Sequence, residues 1–288
     1  MKKKSMKNVT THLAASAAML VLTVGVFGSS QALAGIASTK HNLGSAGTGV
    51  NKFDGTAELC VFCHTPHGAD TTASVPLWNR ILPAANTYTT YNSLGTSSLD
   101  GATVAVGSVS IACLSCHDGT QAMNTMINQP GSGGYNSAGA AMSGTWTGAN
   151  QTGGKISAGL ITNIGQDLRN DHPIGIQYAG GPIAGTVPNA PGDYTTALFK
   201  DADFQTAKSA TINSKSVWWV ETGTSGRQKT DMQLYTRTGV SSVGTVTTLQ
   251  GDQPFVECAS CHDPHTETAT FLRIANTNSA VCLACHIK

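Results

Sequence analysis

Aromatic side chains and charge are both scarce in this sequence. Aromatics make up 6% of its 288 residues, and Asp, Glu, Lys and Arg together 11%. So few aromatics leave little material for an ordinary core, because Phe, Tyr and Trp bury the largest surfaces. The near balance of 17 basic against 16 acidic residues excludes the basic face of a nucleic-acid-binding protein. No cysteine stands outside one recurring spacing, so a disulfide framework with its varied spacings is excluded as well. Beyond the first 34 residues no apolar run approaches the length of a membrane span. The sequence has no sustained heptad, no phosphate-binding glycine loop and no Ser/His/Asp arrangement.

What is present is a single motif, repeated. The eight cysteines form the pairs Cys60/Cys63, Cys113/Cys116, Cys258/Cys261 and Cys282/Cys285, and each pair is followed at once by His64, His117, His262 or His286. C-x-x-C-H is the c-type haem attachment signature. Two thiols one short turn apart can add to the vinyl groups on one edge of a porphyrin, and the adjacent imidazole then binds the iron axially. Zinc also takes paired cysteines, and four pairs would make two Cys₄ sites, but that reading leaves four histidines unexplained. A thioredoxin-like motif uses one C-x-x-C near a βαβ pattern, which this Gly-rich chain lacks. The expectation is four covalently attached haem c groups with iron.

The remaining histidines sharpen this. His12 lies near the N-terminus, and four others stand outside the motifs: His41, His67, His172 and His265. Four haems need four distal ligands, so bis-His ligation throughout is the simplest account. Met123, Met126, Met142 and Met232 are the alternative distal ligands, and would raise the potential. An iron with both axial positions filled transfers electrons and does not readily bind substrate. The chain is therefore expected not to be an enzyme.

Residues 1–34 read as a secretory signal peptide: Lys2, Lys3, Lys4 and Lys7, an apolar stretch from Leu13 to Phe27, and an A-x-A site at Ala32-Leu33-Ala34. Removing them leaves 13 basic against 16 acidic residues, a net charge of −3. The expected product is a secreted protein without a transmembrane span, with the periplasm as the alternative location. Residues 35–288 then form one tetrahaem domain, with a middle segment at about 119–256 free of haem motifs. With so poor a core composition, the haem stack is expected to serve as the core of a mostly irregular, coil-rich fold with a few short helices at the motifs and minor β structure.

Motif contexts alternate. CVFCHTPH ends at His67 and CASCHDPH at His265, whereas the second and fourth motifs read CLSCH and CLACH. The A–B–A–B order suggests two copies of a two-haem unit. Pro66 and Pro264 break any helix between the paired histidines, so His67 and His265 are expected to ligate a neighbouring haem rather than their own. His172 precedes Pro173 in an extended context. His41 lies in a flexible-looking tail, Ser38-Thr39-Lys40-His41-Asn42, that folds back onto its own haems or reaches another subunit.

The segments STKHNLG, ELCVFCHTPHG, CLSCHDGT, NDHPIG and VECASCHDPH resemble outer-surface multihaem cytochromes of metal-reducing bacteria, above all the OmcE-type tetrahaem cytochromes, relatives of the hexahaem OmcS type. The resemblance covers most of residues 36–288 and is weak over 131–159. It implies little regular secondary structure and self-association into an extracellular filament, a nanowire with a continuous haem row. It also implies that His41 completes a haem of the adjacent subunit. The partners implied are redox cytochromes and extracellular electron acceptors. A monomeric periplasmic shuttle is the alternative, and a reductase with one five-coordinate haem is a second.

Locally, short helices are expected at residues 56–64 and 279–286, strands at 102–111 and 217–220, and loop through 131–159. The spacing between successive motifs is 53, 145 and 24 residues, and the long middle gap is expected to form a small β-rich lobe.

Overall fold

The structure is a computed structural model that describes residues 35–99, 101–181, 193–194, 199–223, 225–237 and 252–287. The expected signal segment, 1–34, lies outside the described residues.

The chain is coil-rich, with few short helices and small antiparallel sheets. Helix α1 (Ser108–His117) carries the second motif, α2 (Cys258–Cys261) is the third motif itself, and α3 (Ala280–Leu283) enters the fourth. Three two-stranded sheets pair β1 (Lys52–Phe53) with β4 (Trp146–Thr147), β2 (Thr125–Asn128) with β3 (Tyr135–Ala141), and β5 (Gln151–Thr152) with β6 (Lys155–Ile156). A six-stranded sheet occupies most of the long gap between the second and third motifs. It is built from β7 (Ile176–Gln177), β8 (Asp193–Tyr194), β9 (Ala207–Ile212), β10 (Lys215–Val220), β11 (Met232–Arg237) and β12 (Gln253–Val256), in the order β7-β12-β11-β10-β9-β8. Among the described residues no helix is long and apolar enough to cross a membrane.

The sheet follows from its sequence. β9 and β10 pair in register with Ile212 opposite Lys215, so the loop is the two residues Asn213-Ser214. Both have positive φ, 49° and 60°, as a tight hairpin with right-handed strand twist requires. Along β10 the side chains alternate, and Trp218 and Val220 meet Met232 and Leu234 of β11 in one apolar cluster. The strand expected at 217–220 and the β-rich middle segment are both present.

Three local expectations need correction. The first motif is not helical: residues 56–59 are coil, with the Thr56 carbonyl accepting from Ser45 N–H at 2.8 Å, and the motif closes as one turn with His64 N–H bonded to the Cys60 carbonyl at 2.7 Å. Residues 102–111 are not a strand. Thr103 makes only an isolated bridge with Ile176, and α1 begins at Ser108. Burial of Ile111, Ala112 and Leu114 on α1 overrides the β propensity of the valines, a weak prior at best. Residues 131–159 contain β3, β4, β5 and β6 rather than loop alone. Their glycines supply turns, including Gly153 and Gly154 at φ 59° and 79° between β5 and β6, while neighbouring backbone groups pair.

The apolar interior is divided. One cluster holds Phe53, Val61, Phe62, Met126 and Met142, with Cys63 packed against it; another holds Tyr88, Val106, Ile111, Leu114 and Leu168. The sheet cluster around Tyr178, Trp218 and Met232 has Cys261 and Cys285 at its edge. Each cluster thus lies beside haem-motif residues.

Candidate functional site

Three of the four motifs are held by one backbone device. In the first, Thr65 N–H bonds to the Leu77 carbonyl at 2.9 Å and Asn79 N–H to the Cys63 carbonyl at 2.9 Å, setting Trp78 opposite His64. In the third, Asp263 N–H bonds to the Phe271 carbonyl and Arg273 N–H to the Cys261 carbonyl, both at 2.8 Å, setting Leu272 opposite His262. In the fourth, Ile287 N–H bonds to the Asp203 carbonyl at 2.8 Å and Gln205 N–H to the Cys285 carbonyl at 2.7 Å, setting Phe204 opposite His286. A one-bridge antiparallel clamp thus grips the residues flanking each histidine. Two of the opposing residues are aromatic and lie against the imidazole, at ring-centroid distances of 6.0 Å for Trp78–His64 and 4.4 Å for Phe204–His286.

The second motif is held differently. Helical spacing puts Cys113, Cys116 and His117 on one face of α1. The helix ends at Asp118, and Gly119 follows at φ 71°, the left-handed conformation that stops a helix. A Cβ there would strike the Asn163 side chain.

The Nδ1 atoms of three of the four motif histidines are engaged by backbone carbonyls: His64 with Pro76 at 2.7 Å, His117 with Thr162 at 2.8 Å and His262 with Thr270 at 2.9 Å. Among the other histidines, His172 Nδ1 reaches the Pro173 carbonyl at 3.2 Å and His265 Nδ1 the Asp263 carboxylate at 3.2 Å. A ring whose Nδ1–H is donated away presents a bare Nε2, which is how metal-ligating histidines are oriented.

Two pairs of imidazoles lie at one separation. His64 and His265 have ring centroids 6.2 Å apart and planes 19° apart. His117 and His41 are also 6.2 Å apart, with planes 86° apart. A metal–nitrogen bond of about 2 Å on each side, plus roughly a ring radius at each end, spans about 6 Å, so each gap has the width of one metal ion. His265 thus lies nearer the histidine of the first motif, His64, than its own motif's context alone would require.

The tail around His41 is ordered rather than loose. Ile36, Thr39 and Asn42 are buried. Ser38 hydrogen-bonds to Glu267, and Asn42 Nδ2–H donates to the Ala37 carbonyl at 2.8 Å. His41 packs on Phe271 at 4.2 Å, and burial, reinforced by His117, pulls its pKa down to about 4. Its Nδ1 is buried without a hydrogen-bond partner. In this geometry His41 lies against its own chain.

The other two predicted distal histidines are not paired in this way. His172 is exposed by surface area; partial desolvation of its ring lowers its pKa against the opposing Pro173 carbonyl bond, with the charges of His286 and then His262 adding to the lowering. His67 is exposed, its backbone carbonyl accepting from Asn128 Nδ2–H at 2.8 Å. Among the described residues neither His67 nor His262 has another imidazole in ring contact. Of the alternative ligands, Met126 and Met142 lie in the cluster beside Cys63 and Met232 in the sheet cluster; Met123 is buried, its carbonyl accepting from Arg80.

None of the eight cysteines is in a disulfide. Burial raises Cys63 and Cys285 to about 12 and pushes Cys261 up as well. Cys113 is raised by its hydrogen bond to Cys258, with burial adding to the shift. The same bond lowers its partner, Cys258; burial keeps Cys63, Cys261 and Cys285 neutral, while Cys258 is the acidic member of its pair. The Cys113–Cys258 contact brings the second and third motifs together. Glu257 seals this junction: fully buried, it accepts from Ser110 Oγ of α1 at 2.5 Å and pairs with Arg237 at 2.6 Å, and it caps α2 reciprocally with Ser260.

Among the described residues no group of three or more His, Cys, Asp or Glu is placed to hold a metal ion, so the Cys₄ zinc arrangement has no counterpart there. Two imidazoles across a gap, beside two tethering thiols, instead fit a metal whose other ligands come from a flat macrocycle. Sequence reasoning found the eight cysteines and eight histidines but missed the clamp residues. Carbonyl donors such as those of Pro76, Thr162 and Thr270 carry no side-chain signal. Trp78 and Phe204 did carry one, since each is an aromatic in a chain poor in them.

Residues 253–288 match the family model of the doubled CXXCH motif. The match spans the third and fourth motifs and supports covalent haem c binding, as in a multihaem c-type cytochrome. None of the curated proteins matches the chain.

Proposed function

We propose that this protein is an electron carrier with four covalently bound haem c groups, each iron capped by two histidines. The observation that carries the reading is the pair of 6.2 Å gaps between imidazoles, His64 with His265 and His117 with His41, beside thiols in C-x-x-C spacing. Haem iron bound in such a gap supplies one-electron transfer with no open coordination position.

The chain's own residues do the rest. The cysteine pairs tether, and Nδ1 acceptors fix the tautomer and direction of the His64, His117, His262, His172 and His265 rings. The apolar clusters beside the motifs keep water from them. His67 is assigned to the His262 site, because the first and third motifs share one clamp and His265 already faces His64. His172, the distal candidate left, is assigned to the His286 site, the motif left. The protein then has no catalytic residues.

Resemblance to the OmcE-type cytochromes extends the reading to a secreted subunit of an extracellular filament. His41, lying against His117 of its own chain, is not the residue assigned to the joint between subunits. The test is holoprotein secreted by an organism with haem attachment machinery. Four haems per chain by pyridine haemochromogen assay and a wholly low-spin EPR spectrum are expected, with filaments by electron microscopy. Fewer haems sink the tetrahaem reading, and a monodisperse monomer by light scattering replaces the filament with a shuttle.

A second reading is a reductase in which one haem stays five-coordinate. A high-spin fraction that binds nitrite or cyanide in the intact assembly selects it.

A further inference from the structure

Arg80 is the largest fully buried side chain among the described residues, with 0% exposure, and among them no carboxylate lies within ion-pair distance of it. Its charge is met only by neutral oxygens. Nε–H donates to Ser115 Oγ at 3.1 Å. One terminal nitrogen donates to the carbonyls of Met123 and Thr125, and the other to those of Ser115 and Ala122, at 2.8 to 3.1 Å. All five guanidinium donors are thereby used, and none is left for a haem propionate.

The position of this cation is specific. Ser115 lies between Cys113 and Cys116, so Arg80 grips the backbone of the second motif. It also lies beside the first, because Asn79, the residue before it, donates its N–H to the Cys63 carbonyl at 2.9 Å. A buried charge is costly unless something requires it, and hydrogen bonds to carbonyls alone could be made by a neutral side chain.

Resting on the tetrahaem reading, we infer that Arg80 is a fixed positive charge that raises the reduction potentials of the first and second haems relative to the other two. Reduction adds one electron and lowers the charge of a haem site by one, with no proton taken by Arg80. A cation held in a low-dielectric interior therefore favours the reduced state. Arg80 is a positioning residue for potential, touching neither iron nor substrate.

The experiment is a spectroelectrochemical titration of holoprotein carrying Arg80→Gln or Arg80→Lys. R80Q is expected to shift two of the four one-electron equilibria about tenfold towards the oxidised state, about 59 mV each. R80K, which keeps the charge but loses bonds, stays within about twofold of wild type. Equal shifts in both variants, or none in either, overturn the inference.

Should R80Q yield no holoprotein, Gln121→Glu serves. Gln121 Nε2–H donates to the Ile81 carbonyl at 3.0 Å, and the next residue, Ala122, accepts from Arg80. This variant sets a carboxylate near the cation while leaving the cation's own bonds in place. Its shift is expected in the same direction, and unchanged potentials overturn the inference. A wild-type count other than four haems overturns the proposed function itself, whereas four haems with charge-insensitive potentials overturn only the role of Arg80.

Discussion

His41 and His117 stand nearly at right angles, with planes 86° apart, across a gap one metal ion wide. His64 and His265 span the same distance but are nearly parallel, at 19°. The angle between axial imidazole planes sets how far the iron d orbitals that interact with them split.

Two kinds of low-spin EPR signal follow. The perpendicular pair should give a strongly anisotropic signal at large g, and the parallel pair an ordinary rhombic one. His41→Ala should remove the large-g signal and leave one high-spin haem per chain. His265→Ala should instead remove a rhombic signal. If H41A leaves every haem low-spin with the large-g signal intact, His41 is not a ligand in its own chain.

Glu257 gives a pH dependence whose sign is fixed by its surroundings. Burial holds its carboxyl above the ordinary value of 4.5, outweighing the opposing pull of Arg237 and Ser110. A carboxyl that titrates higher in the folded state contributes stability that is present at low pH and lost as pH rises through the folded value. Glu257→Gln, which cannot ionise, should therefore gain on wild type in denaturant melts as pH is raised from about 4 towards 7. Glu257→Ala strands Arg237 and should cost about 3–5 kcal/mol. A Gln variant that loses ground with rising pH would show that the ion pair dominates burial.

Gly119→Ala forces a Cβ into left-handed backbone and against Asn163. The backbone cost alone is about 1–2 kcal/mol, and the clash adds to it. Thermal melts of holoprotein should show the loss. A melting temperature equal to wild type would mean that the end of α1 has slack.

Trp78 is buried and lies edge-on to His64 at 6.0 Å. Trp78→Ala should destabilise by about 3–5 kcal/mol, and Trp78→Phe by much less. The spectral change should be confined to one haem. A uniform change at all four would place Trp78 in general packing rather than in the first clamp.

The chemistry of the sites was legible because covalent attachment and axial ligation need particular side chains at particular spacing. Cys60 to His64 can be read without knowing any fold. The coil-rich character was legible from composition, since so many small polar residues leave little to pack. The strand at Val217–Val220 was legible because Trp218 and Val220 alternate with their neighbours. The start of α1 was hidden by valines whose local preference yields to burial of Ile111 and Leu114. The pairings in β3 to β6 were hidden because glycine-rich hairpins are held by backbone bonds, which composition does not encode. Arg80 was hidden for a similar reason: its partners are mostly carbonyls, scattered over residues 115–125.

The clamps also impose an order in time. The residues that close on the first and third motifs, 77–79 and 271–273, follow them in the chain, whereas residues 203–205 precede the fourth motif. A chain threading out from its N-terminus would meet its fourth motif with the receiving segment already in place. It would expose the first motif long before His265 exists to cover it. The earliest haem to be joined would then wait, open on one face, until the polypeptide was nearly finished.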